Sequence, residues 1–380
     1  VLMMNIPGLA LFYAGMVRKK NVLATGIQAF AVAALVTLLW FAFGYSLAFT
    51  DGGALNGMIG SLSRTFGAGL QGNVHELAKT VPENVFMMYQ ATFAIITPAI
   101  IADAFAERMK FTAMMWFMAL WLLLVYVPVA HWVWGGGFLG TAGVLDFAGG
   151  LVVHLNAGIA GLVCAIVLGP RQGYGHEYMA PHNLVLTLIG TSLLWVGWFG
   201  FNAGSALASG ELAGSAMLNT HVSAAVAALV WMSIEWSARG KPSVLGILSG
   251  AVAGLGTITP ASGYVLPWHG IVIGLIAGTV CYWFCTVVKH RLKYDDSLDV
   301  FGVHGVGGIM GTLFAGVFAT AFLSIGPDAP TGVSGLLEGN AKQLGFQAIG
   351  VVTTIVWCVF GTWASLAATK MFCGLRVSSE

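Results

Sequence analysis

Long, nearly uninterrupted apolar runs dominate the chain, and they leave it few folds to adopt. Reading from one charged or Gly/Pro-rich break to the next gives eleven spans, at 1–17, 22–49, 82–102, 111–130, 146–168, 184–201, 216–236, 244–258, 268–288, 300–322 and 343–369. These runs lack the period-2 alternation of a lipid-facing strand, so helices rather than barrel strands must do the crossing. Only a helix satisfies its own backbone over such a distance in hydrocarbon. Composition agrees, with 58% of residues hydrophobic and 8% charged, where soluble domains carry about 25% charged residues. The 52 glycines lack the every-third period of collagen. A net charge of +1 offers nothing to a nucleic acid. The expected class is an all-α polytopic protein of the lipid bilayer.

The basic residues orient the spans. Arg18, Lys19, Lys20, Arg108, Lys110, Arg171, Arg239, Lys241, Lys289, Arg291, Lys293, Lys370 and Arg376 fall on one side, whereas Arg64, Lys79 and Lys342 fall on the other. By the positive-inside rule the C-terminus is cytoplasmic and, with eleven crossings, the N-terminus is outside. The break between the eighth and ninth spans rests on Thr259, Pro260, Gly263 and Pro267.

An odd number of spans invites a search for a duplicated unit plus one extra helix. Span 5 carries His154 followed by Gly158 and Gly161, and span 10 carries His304 followed by Gly308 and Gly311, so both read His-x-x-x-Gly-x-x-Gly, 150 residues apart. Five spans separate the copies, so they enter the membrane from opposite sides, as in an inverted repeat. A fainter echo pairs Phe12, Ala14 and Gly15 with Phe201, Ala203 and Gly204. Gly246, Gly250 and Gly254, and likewise Gly270, Gly274 and Gly278, form smooth grooves on single helix faces and are read as close-packing surfaces.

A polar ring in hydrocarbon is costly unless it is paired or lines a cavity. His154 lies about two turns into its span and His304 about one. A two-fold axis in the membrane plane would bring them face to face. His131, His221 and His269 have no such counterpart and are read as structural. No His, Cys or carboxylate group has metal-ligand spacing, so no metal or other cofactor is expected. Cys164, Cys281, Cys285, Cys358 and Cys373 read as small packing residues. Without a phosphate loop, nucleophile elbow or dinucleotide fingerprint, nothing points to an enzyme.

Three strings carry a family resemblance: Asp146-Phe-Ala-Gly-Gly-Leu-Val-Val-His154-Leu-Asn-Ala-Gly158, Gly197-Trp-Phe-Gly-Phe201-Asn-Ala-Gly-Ser205, and Asp299-Val-Phe-Gly-Val-His304-Gly-Val-Gly-Gly308. Through them the chain resembles the ammonium transporter (Amt/Mep/Rh) family along essentially its whole length. The resemblance implies one domain over 1–380. Repeat one would cover about 1–168, repeat two about 184–322, and the extra helix about 343–369. It also implies a homotrimer with one pore per subunit in the plasma or inner membrane. The family's paired pore histidines fall on His154 and His304. Its external recruitment site falls on Trp134, Ser205 and the ring of Phe93, and its two stacked gating phenylalanines on Phe93 and Phe201. Asp146 matches a supporting acid below the vestibule. Trp134 together with Ser205 resembles the Amt branch. Tyr89 stands where many relatives have phenylalanine, which alters the polarity of the vestibule.

The residue types suit that chemistry. Ring faces attract a small cation by about 0.5–2 kcal/mol each, and a serine hydroxyl can accept its hydrogen bond. Moving a bare ion into an apolar pore costs on the order of tens of kcal/mol, so neither potassium nor ammonium should pass intact. Ammonium alone can shed a proton and continue as ammonia, offered a donor or acceptor by each imidazole. The released proton either returns outside or crosses through the pair, and the Amt-branch resemblance favours net ammonium transport. An ammonium sensor is the alternative, in which the fold binds the ion and signals to a cytoplasmic domain beyond residue 380. A PII-type regulator or such a fused signalling domain would act at the cytoplasmic C-terminal end. A conduit for water or carbon dioxide would not need a cation-attracting rim.

Overall fold

The computed structural model describes residues 1–323 and 332–377, and among them the regular elements are helices, with no strand longer than an isolated bridge. Among the described residues nine helices are long and apolar enough to cross a membrane, and two shorter apolar helices, Leu2–Met16 and Val244–Ile258, accompany them. Helices without a polar face must be covered on all sides, by protein or by lipid. Glu83–Ala104 and Gly150–Leu168 are mostly buried at the centre. Lys19–Phe49, Pro267–Leu292 and Ala341–Cys373 lie mostly outward and expose Leu23, Phe30, Leu275, Val356 and Trp363, a surface suited to lipid tails.

Small residues decide how closely the helices approach. A Cβ on Gly250 or Gly278 would sit 2.7 Å from the Ala227 carbonyl oxygen, and one on Gly254 or Gly274 would sit 2.5 Å from that of Ser223. Both glycine grooves therefore clasp the helix Glu211–Arg239. Gly15 packs in the same way on Asn183 and Thr187. The break after Ile258 is where expected, with the next helix starting at Pro267. Its open backbone is satisfied by Asn219, whose amide donates to the carbonyls of Ser262 (2.8 Å) and Val265 (2.6 Å).

The expected start of span 5 at residue 146 needs correction, because the helix begins at Gly150. Residues 146–149 form a turn that Gly149 closes at φ +118. His154 is therefore about one turn into its helix rather than two. Span 10 likewise starts at Phe301 and its helix ends at Phe318. Both histidines stand in π-helical turns, Gly150–Leu155 and Phe301–Gly305. Such turns recur at functional positions, and an apolar sequence carries no local mark of them.

The end of the molecule rich in Arg and Lys is laced together by polar contacts. Arg18 pairs with Glu107 (2.5 Å) and Arg171 with Asp295 (2.8 Å), and the Val377 amide donates to the Arg108 carbonyl (2.9 Å). Burial alone would raise the carboxyls of Glu107 and Asp295, but the Arg18 and Arg171 hydrogen bonds and charges outweigh it and hold both below the usual range.

Candidate functional site

The helix Glu83–Ala104 carries Tyr89 and Phe93 one turn apart, facing a cavity of about 390 Å³. Trp134, Asp146 and Ser205 line the same cavity, so the structure brings the expected outer residues together. Gln90, Phe147 and Tyr264 also line it and were not foreseen. The Gln90 Oε1 is buried without a partner. A glutamine inside an apolar span was the available signal.

Asp146 explains why the turn before His154 exists. One carboxylate oxygen accepts the N–H groups of Gly149 (2.8 Å) and Gly150 (2.6 Å), and the other those of Leu151 (2.8 Å) and Val152 (3.2 Å). Those N–H groups open the helix and have no intrahelical partner, so a carboxylate there caps it and complements its dipole. The Trp134 indole N–H donates to the Asp146 carbonyl (2.8 Å), which fixes the ring over the cavity.

At the rim, the Ser205 hydroxyl lies 2.9 Å from the Phe201 carbonyl, to which it donates. The Tyr89 hydroxyl is 3.1 Å from the Ser205 oxygen and equally close to the carbonyls of Gly200 and Phe201. Ser205 therefore keeps a lone pair for a ligand N–H.

From Trp134 a line of rings descends into the protein. Trp134 and Phe93 have centroids 5.6 Å apart, and Phe93 and Phe201 4.8 Å apart at 75°. The two phenylalanines thus meet edge to face, which corrects the expectation of a stacked pair. The edge of one ring meets the negative face of the other, the arrangement that ring quadrupoles favour. Phe201 lies nearly parallel to His154 (5.6 Å, 17°), and His154 to His304 (5.2 Å, 14°). Trp198 stacks on His154 as well (5.4 Å, 9°) and is held by Thr259. Trp198 falls within the second family-like string, where the sequence alone assigns it no role.

The imidazoles of His154 and His304 are joined through their Nδ1 atoms at 3.2 Å, both rings are buried, and both Nε2 atoms lack a partner. One Nδ1 must donate to the other, so the neutral pair presents one bare Nε2 and one Nε2–H. Gly158 and Gly308 allow this approach reciprocally. A Cβ on Gly158 would sit 2.1 Å from Gly305 Cα, and one on Gly308 2.6 Å from the Leu155 nitrogen. The three histidines read as structural do not join the line: His131 bonds the carbonyls of Ala48 and Asn56, His221 accepts from Trp195, and His269 caps its own helix. Among the described residues no group of three or more metal-ligating side chains occurs.

The sequence matches the Ammonium Transporter Family over residues 1–380. The chain belongs to that family. It is 46% identical to an ammonium transporter of Bacillus subtilis, over 98% of this chain and 90% of that protein. It superimposes on the crystal structure of Saccharomyces cerevisiae Mep2 with a TM-score of 0.93 at 35% identity, covering 99% of this chain and 87% of that one. A solved Sensor Amt Protein is also similar, with a TM-score of 0.87 at 29% identity, covering 99% of this chain and 92% of that one. The family is one of transport proteins, and with it the apolar helices of this chain make a multi-pass membrane protein.

Proposed function

We propose that the protein recruits ammonium at Trp134, Phe93 and Ser205, deprotonates it, and conducts ammonia past Phe93 and Phe201 to His154 and His304. The observation that carries this reading is the buried histidine pair, whose Nε2 atoms have no partner within the protein. A bare Nε2 accepts an ammonia N–H, while the Nε2–H of the other ring donates to the ammonia lone pair. One pair thus matches a neutral molecule that is both donor and acceptor, and gives nothing comparable to potassium. Shifting the proton between the two Nδ1 atoms while Nε2 atoms exchange theirs carries a proton along the pair, consistent with net ammonium transport.

The same reading includes the wider architecture: eleven crossings as a five-plus-five inverted repeat with an extra helix, the N-terminus outside and the C-terminus cytoplasmic. It includes a homotrimer, with regulation by a PII-type protein at the cytoplasmic face. The reciprocal packing of Gly158 and Gly308 supports a two-fold relation between the repeats.

The test is the current after an ammonium pulse on proteoliposomes. A sustained current, absent with potassium and altered in a His154→Ala, His304→Ala variant, is expected. A brief binding signal without net translocation would instead favour the sensor.

A further inference from the structure

The rings that meet at the histidine pair share nearly one orientation, and the bond within the pair does not account for it. The His154 and His304 centroids are 5.2 Å apart while their Nδ1 atoms are 3.2 Å apart, so the rings meet through their Nδ1 corners rather than their faces. An N–H and the lone pair that accepts it both lie in their ring planes, so this bond stays straight only while the two planes stay aligned. The torsion that turns an imidazole about its Cβ–Cγ bond is broad, with no sharp minimum of its own. The His154 Nε2 has no partner that would stop such a turn. Packing must set the plane.

Trp198 supplies that packing. It is buried, lies at 9° to the His154 ring with centroids 5.4 Å apart, and lies at 18° to Phe201 at 5.1 Å. An indole also turns freely unless its N–H is held, and this one donates to the Thr259 Oγ1 at 2.9 Å. Thr259 is itself buried, and its own proton goes to the Leu255 carbonyl (2.8 Å), which leaves its oxygen to the indole as an acceptor. Thr259 stands at the C-terminal cap of Val244–Ile258. The same helix end runs beside the histidine bond: a Cβ on Gly256 would sit 3.8 Å from the His304 Nδ1 and 4.0 Å from the His154 Nδ1. The anchor and the bond it serves thus belong to one element. The sequence reads Thr259 only as part of the break after the eighth span.

We propose that Trp198 and Thr259 are positioning residues: Thr259 pins the indole, and the indole holds the His154 ring in the plane that keeps its Nδ1 aligned with that of His304. Both act through His154, because the indole N–H and the Thr259 O–H are already committed. Turning the His154 ring out of this plane would break the Nδ1 bond and leave each imidazole to take its tautomer independently, since the proton on one ring nitrogen is set by the bond the other makes. The matched set of one bare Nε2 and one Nε2–H would be lost with it. That consequence for ammonia rests on the function proposed above.

Ring alignment is tested without ammonium, by NMR of the full chain in lipid vesicles with isotope-labelled histidine rings, where the signals lost in His154→Ala and in His304→Ala belong to the pair. Thr259→Val keeps the shape of the side chain and removes the acceptor. In it, and in Trp198→Leu, the Nδ1 signals of the pair are expected to move to the positions of imidazoles that lack the Nδ1 bond, while Thr259→Ser should leave them as in wild type. Unmoved signals in either variant would overturn the role of that residue, and a lowered melting midpoint with unmoved signals would reduce it to stability alone. If Trp198→Leu does not fold, the Thr259 variants still decide. Ammonium-pulse currents then read the consequence: Thr259→Val should lower the maximal current several-fold and leave half-saturating ammonium unchanged, because Trp134, Phe93 and Ser205 are untouched, and Thr259→Ser should restore it. A change confined to half-saturating ammonium, or no change, would overturn the link to conduction. If wild type carries no sustained current at all, the transport reading fails, and the ring signals still decide the positioning.

Discussion

The segments 146–161 and 296–311 are written alike and finished differently. Each opens with an aspartate, turns through a residue of positive φ (Gly149 at +118, Asp299 at +61), enters a π-helical turn, and presents a histidine eight positions after the aspartate. Asp146 is saturated by four backbone N–H groups, whereas Asp296 accepts from Phe301 alone and leaves an oxygen open. At the turn itself glycine has become Asp299, a residue type that tolerates the left-handed region and here holds Lys289. The lesson is that one backbone device serves two ends. At Asp146 the device is closed by four backbone N–H groups, and at Asp296 it is closed by one.

The largest expected effect tests the closed half. Asp146→Ala strands four buried N–H groups, each costing about 1–3 kcal/mol if unsatisfied, so the apparent melting midpoint in detergent should collapse. Asp296→Ala strands one and should cost far less. Equal losses would break the comparison. Gly149→Ala comes next, since a Cβ there meets Val153 Cγ2 at 2.7 Å in a left-handed conformation. A loss of roughly 1–3 kcal/mol is expected, and an unchanged midpoint would show that the turn is not required.

A pH series sharpens the contrast at the Arg/Lys-rich end. With Asp296 at about 6 when folded and about 4 when unfolded, the folded chain binds more protons between these values. Stability therefore falls as pH rises from about 4 to 6, by at most about 1.4 kcal/mol per unit, and Asp296→Asn should flatten that slope. Asp295 is depressed by Arg171, so its stabilisation is present above about pH 4 and is lost as pH falls further. Melting midpoints across this range separate the two signs. The smallest effect belongs to Tyr89→Phe, which removes a hydroxyl from Ser205. A change of about 2–5-fold in half-saturating ammonium is expected, the size of one modest hydrogen bond, with the maximal current kept.

The sequence made the long apolar helices, the glycine grooves and the His154/His304 spacing legible, because each is a local or strictly periodic pattern. The same 150-residue offset joins Asp146 to Asp296, a signal that was present and went unread. The start of the helix at Gly150 was hidden because residues 146–149 are mostly apolar, and only the Asp146 cap and Gly149 mark the turn. Asp103 was missed because it lies one position beyond the expected end of its span at 102, whereas the helix runs to Ala104. The edge-to-face meeting of Phe93 and Phe201 depends on how two distant helices cross.

The central claim is that ammonium crosses only after giving up a proton, and the most direct measurement is the solvent-isotope effect on the ammonium current. In proteoliposomes moved from water to heavy water, the sustained current should fall by more than the viscosity change explains, because an N–H bond breaks on the path. A current that tracks viscosity alone would mean that the ion passes intact, and would contradict the account.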